Sequence, residues 1–138
     1  MFATTIFHPM IVHFPLALLL LGFLAEVIPV FYKKDACLPR MGFYLLLTGT
    51  LGAIAAVLTG LLFTPDFTGE AGKIKATHEM FGLITTGLAL VTSLFYIYFI
   101  RKGKVSPELQ RISLALYTLT AMSVAVTGFF GGNLVYGT

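Results

Sequence analysis

Residues 1–25 read MFATTIFHPMIVHFPLALLLLGFLA, twenty-five positions without Asp, Glu, Lys or Arg. Three more uncharged stretches follow, at 41–65, 80–100 and 112–138. A helix that rises about 1.5 Å per residue crosses the hydrocarbon core of a bilayer with about 20 apolar residues, so each stretch is long enough to span it. The whole chain agrees: of 138 residues 57% are hydrophobic and 11% charged, where a soluble domain carries about a quarter charged residues to solvate its surface. That excludes a soluble globular enzyme. Cys37 is the single cysteine, which excludes a disulfide scaffold, and nine basic residues spread over three connections make no nucleic-acid-binding patch.

In lipid every backbone donor needs an internal partner, and spans this long and apolar meet that demand as helices rather than barrel strands. The reading is all-α: a polytopic four-helix up-and-down bundle, one transmembrane domain over 1–138 with spans near 9–32, 41–63, 77–100 and 108–135. Short connections make consecutive helices neighbours, so the first and third stand diagonally. No linker, repeat or low-complexity tract marks a second domain. No basic residue precedes the first span, so it reads as a retained helix rather than a cleaved signal. Lys33, Lys34 and Arg40 follow that span, and Arg101, Lys102, Lys104 and Arg111 separate the third from the fourth. The positive-inside bias then puts both termini and the middle loop of this multi-pass protein on the extracytoplasmic side. In that loop Lys73 and Lys75 are balanced by Asp66 and Glu70.

Pro9 fits a first helical position, while Pro15 removes a donor and is expected to perturb the helix just after His13. Gly52, Ala56 and Gly60 recur every fourth residue, a small-residue stripe that lets another backbone approach. Helix packing is one reading of it; a surface for a homo-oligomer or a larger redox complex is the other.

The three histidines all fall on the outer side. Counted along ideal helices, His13 lies about 30 Å from Lys33 and His78 about 35 Å from Arg101, so two diagonal helices present imidazoles at nearly one height. Gly60, Gly82, Gly128 and Gly131 fall in the same layer. Facing imidazoles with backbone free of side chains beside them suit a planar macrocycle, and the specific hypothesis is haem b held by His13 and His78. The plainer alternative has the histidines hydrogen-bonded to water at the membrane edge and the glycines serving packing and helix termination. A third reading is copper or zinc, with His8 joining His13 and His78 and with Met10, Met80 and Glu79 nearby. Five residues separate His8 from His13, about 140° around a helix, so they converge only if the helix unwinds. Glu79 reads as a first-turn acid or as a partner for a ligating histidine. Glu26, the one acid well inside a span, lies about 10 Å from the basic cluster after it, near enough to reach that charge, with a proton relay as the lesser reading. No Ser-His-Asp set, phosphate loop or paired catalytic carboxylates occur, so nothing points to an enzyme.

HPMIVHFPLALL from His8, THEMFG from Thr77 and the closing GGNLVYG from Gly131 together resemble a family of prokaryotic membrane proteins, the domain of unknown function 2231, over essentially the whole chain. The resemblance implies a four-helix inner-membrane protein, and the family's occurrence beside cytochrome components implies a redox role. It matches His8 and His13 to the family's opening pair, His78 to its third-helix histidine, and Gly131, Gly132, Leu134, Val135 and Tyr136 to its closing segment. A histidine follows that closing tyrosine in the family's pattern, where this chain has Gly137 and Thr138; if four histidines serve two sites, His8 is the expected spare. The function expected from these readings is electron transfer through one haem b near the outer face, with membrane lipid around the protein and a quinone or an extracytoplasmic cytochrome as redox partner. The competing expectation is a structural or assembly subunit without a cofactor.

Overall fold

A computed structural model describes residues 7–32, 37–103 and 106–137. Lys33, Lys34, Lys104 and Thr138 lie outside them. The described chain is almost entirely helical: α1 Phe7–Ile11, α2 His13–Phe31, α3 Cys37–Phe63, α4 Gly69–Lys102 and α5 Pro107–Tyr136. Only Val12 separates α1 from α2, and it keeps helical angles (φ −61°, ψ −22°). The two make one span, Phe7–Phe31, so four helical segments are long and apolar enough to cross a membrane. Pro15 has no N–H for the Ile11 carbonyl, and the next bond, Leu16 N–H to Val12 O, is long at 3.4 Å. The perturbation therefore falls one residue before His13 rather than just after it.

The other ends follow local chemistry. Ser106 accepts the Leu109 N–H at 3.3 Å as N-cap of α5, with Pro107 in the first turn. Gly103, at φ 66°, closes α4 in the left-handed conformation, behind Arg101 and Lys102, which suit a helix C-terminus. At its other end α4 starts at Gly69, eight residues before the expected Thr77, because Glu70, Ala71, Lys73, Lys75 and Ala76 are good helix formers that extend it past the apolar window.

Packing is closest within the hairpins α2–α3 and α4–α5, with α3 against α4 and α2 against α5. The fold is thus an all-α four-helix membrane bundle in which α2 and α4 are diagonal. Its interior is small and hydroxylic: Gly22, Gly42, Gly49, Thr50, Thr85, Thr92, Ser93, Ser113, Thr120 and Ser123 are buried, while Phe14, Leu51, Leu62 and Leu94 face outward. This is the pattern of helices that pack by close approach and hydroxyl bonds while lipid takes the large side chains. Thr85 Oγ1 meets Ser123 Oγ at 2.7 Å, Thr50 Oγ1 meets Ser93 Oγ at 2.9 Å and Thr92 Oγ1 meets Thr120 Oγ1 at 3.1 Å.

The buried positions also repeat. Pro15, Leu19 and Gly22 of α2 stand 70 residues before Thr85, Ala89 and Thr92 of α4, and Gly42, Leu46, Gly49 and Ala53 of α3 stand 71 before Ser113, Tyr117, Thr120 and Val124 of α5. The bundle is two hairpins of matching register. The repeat is hidden in sequence because matched positions hold unlike residues, Leu46 opposite Tyr117 and Leu19 opposite Ala89.

Candidate functional site

The register places His8 and His78 at equivalent points, each eleven residues before a fully buried core position, Leu19 and Ala89. Since α1 begins at Phe7, ahead of Pro9, His8 is part of the helix and comes level with His78. Their ring centroids are 6.0 Å apart and the ring planes are inclined at 74°. The ring paired with His78 is therefore that of His8 and not that of His13, the reverse of the sequence expectation. The height count matched His13 because it began the helix at Pro9 and left His8 outside.

Each ring is fixed through Nδ1. The Thr127 carbonyl accepts from His78 Nδ1–H at 3.0 Å. Thr59 spends its hydroxyl hydrogen on the Ala55 carbonyl at 2.9 Å, so its oxygen accepts from His8 Nδ1–H at 3.3 Å. Both imidazoles are thereby held as the tautomer whose Nε2 lone pair is free to bind a ligand. His13 lies on the same cavity wall but is exposed, and its Nδ1–H donates to the Pro9 carbonyl at 2.6 Å. Thr59 and Thr127 were not singled out by the sequence. The equivalence leaves two traces there: His-x-Met at His8 to Met10 and again at His78 to Met80, and Gly60 standing 71 residues before Gly131.

The rings are seated on glycines in the same way. A Cβ on Gly60 would stand 3.0 Å from Cε1 and 3.3 Å from Nδ1 of His8, and one on Gly131 would stand at the same two distances from His78. Gly82 differs: its Cβ would meet only Thr127 Cγ2, at 4.0 Å, because it faces open space. Gly128 packs on Leu16. All four glycines and all three histidines line one cavity of about 480 Å³ at this end of the bundle. Its remaining wall is largely apolar, with Leu16, Val57, Leu61 and Val124, and its charged groups are Lys75 and Glu79. Lys75, with a side chain only 13% exposed, bridges Asp66 at 3.1 Å and Glu79 at 3.5 Å. Glu79 is thus paired with a lysine rather than a histidine.

Two other readings change. Met10 and Met80 are 64% and 50% exposed and point away from the cavity, which removes the thioether sulfurs from a copper site. Among the described residues no three of His, Cys, Asp and Glu converge on a metal position. The Gly52, Ala56, Gly60 stripe is spent inside the chain: Gly52 lies against Pro15, Gly60 against His8, and Ala56 is buried. Its small residues let the first span approach α3.

No curated protein and no solved structure matches the chain. What does match, over residues 5–138, is the family described as predicted membrane protein (DUF2231). That stretch takes in both hairpins and every residue of the cavity, as the motifs around His8, His78 and Gly131 implied, and the chain belongs to DUF2231.

Proposed function

We propose that the cavity binds haem b through His8 and His78, and that the protein transfers electrons at the histidine end of the membrane. The observation that carries this reading is the imidazole pair, drawn from two diagonal helices, with each Nδ1 engaged and each Nε2 free. Two imidazoles with centroids 6.0 Å apart would be near enough to hold one group between them. Two histidine nitrogens would suit a macrocycle that brings four nitrogens of its own, whereas a bare zinc or copper ion takes three or four protein ligands. The cavity volume, about 480 Å³, falls within the roughly 300–1,000 Å³ of cofactor sites.

Haem, when bound, supplies a one-electron couple. His8 and His78 would both hold it through their ring nitrogens, which would favour electron transfer over binding of an external ligand. Thr59 and the Thr127 carbonyl orient the rings and raise their basicity. The apolar wall keeps water out, and Lys75 places a cation at the rim. Arg40, Arg101, Lys102 and Arg111 lie at the opposite end of the bundle, so the positive-inside bias puts the histidine end outside the cytoplasm of a prokaryotic cell. A quinol in the bilayer or a cytochrome on that side is the electron partner.

Single replacements test the ligand pair. His8→Ala and His78→Ala are each expected to abolish low-spin haem absorption in protein purified from haem-supplied cells, and His13→Ala to leave most of it. Loss in His13→Ala with retention in His8→Ala would give the axial position to His13.

A further inference from the structure

The bundle has a second polar centre at the end away from the histidines. Glu26 of α2 and Tyr96 of α4 are 70 residues apart, so they occupy matching places in the two hairpins, as His8 and His78 do. The Tyr96 phenol lies against the Glu26 carboxyl. Tyr117 of α5 meets the Tyr96 ring edge to face at 6.2 Å and is itself fully buried. Two glycines make the room: a Cβ on Gly42 of α3 would stand 2.9 Å from Glu26 Oε1, and one on Gly22 of α2 would run into the Tyr117 hydroxyl. Neither Glu26 Oε1 nor the Tyr117 hydroxyl has a hydrogen-bond partner among the described residues, though both atoms are buried.

Leaving polar atoms unpaired inside a bundle is costly, and an ionisable side chain at this depth is retained for what it does rather than for packing. The neighbouring core positions show the cheaper solution, with Leu19 and Leu46 fully buried. We propose that Glu26, set between Tyr96 and Tyr117, is a proton-exchange site within the membrane bundle, its carboxyl binding and releasing the proton. The groups that face it are Gly22 on its own helix, Gly42 of α3, Tyr96 of α4 and Tyr117 of α5, and of these only the two phenols titrate. A carboxylic acid donates through one oxygen and accepts through the other, so it exchanges hydrogen bonds with the Tyr96 phenol as the proton comes and goes, with the Tyr117 hydroxyl close by. Leu19, Ala89 and Val124 close the bundle axis between this cluster and the cavity. The proton therefore enters and leaves at the α2–α3 end, and the site stands apart from the haem reading.

Dicyclohexylcarbodiimide tests it on the full-length protein in membranes. This apolar reagent takes the proton of a carboxylic acid onto one nitrogen while the carboxylate oxygen bonds its central carbon, and the adduct rearranges to a stable N-acylurea. The expected result is a mass increase on the peptide that carries Glu26, falling at least tenfold as pH is raised through the site's titration and absent in Glu26→Gln. Tyr96→Phe is expected to keep the modification and move its pH dependence. A folded wild-type protein in which Glu26 stays unmodified at every pH, or reacts at a rate independent of pH, would overturn the proposal. The wild-type measurement decides this even if a variant fails to fold.

Discussion

Thr59 shows how much of the cavity's chemistry rests on one hydroxyl. Its hydrogen goes back to the Ala55 carbonyl, which leaves its oxygen as an acceptor aimed at His8. Thr59→Val keeps the shape and removes the acceptor, so the His8 ring loses its fixed tautomer while His78, held by a carbonyl, keeps its own. Partners of ligating histidines are worth about 10- to 100-fold in affinity. Haem titration of Thr59→Val is expected to show a loss of that size, with Thr59→Ser restoring it. Equal affinity in wild type and Thr59→Val would mean that His8 is oriented by its seat on Gly60 alone.

Among the helices, the glycine layer divides into positions that seat a ring and positions that leave space. Gly82 of α4 is of the second kind, since a Cβ there meets nothing nearer than 4.0 Å. Gly82→Leu is therefore expected to lower the haem-to-protein ratio severalfold while the melting temperature of the haem-free protein in detergent stays level. Were the position packed, overfilling would instead cost about 1–3 kcal/mol whether or not haem is supplied. The four spans were legible because the bilayer imposes them: any stretch long enough to cross must shed its charges, and the uncharged windows mark where that happens. The layer of histidines and glycines was legible for a related reason, since position along a straight helix is a count of residues. Direction around the helix was not. The Gly52 stripe looks the same whether it faces another subunit or Pro15 and His8, and only the partner helix decides. The pairing of His8 with His78 was hidden by one assumption, that Pro9 starts the helix, when the first turn tolerates a proline as its third residue.

Across the whole molecule, all three histidines sit at one end of the bundle, with Lys73 and Lys75, and Arg40, Arg101, Lys102 and Arg111 mark the other. Thr68 and Cys37 sample these two ends, as N-cap of α4 and first residue of α3. In intact cells an impermeant thiol reagent is expected to label a cysteine introduced at Thr68 and to leave native Cys37, which is exposed at its own end, unlabelled until the membrane is opened. Labelling of Cys37 alone would turn the molecule over and place the cavity on the cytoplasmic side. The central claim, that two imidazoles from diagonal helices hold one haem, meets its most direct test in the absorption spectrum of wild-type protein purified from haem-supplied membranes. One haem per chain is expected, with low-spin bands that sharpen on reduction. A well-folded, colourless protein that still fails to take up haem in detergent would contradict it.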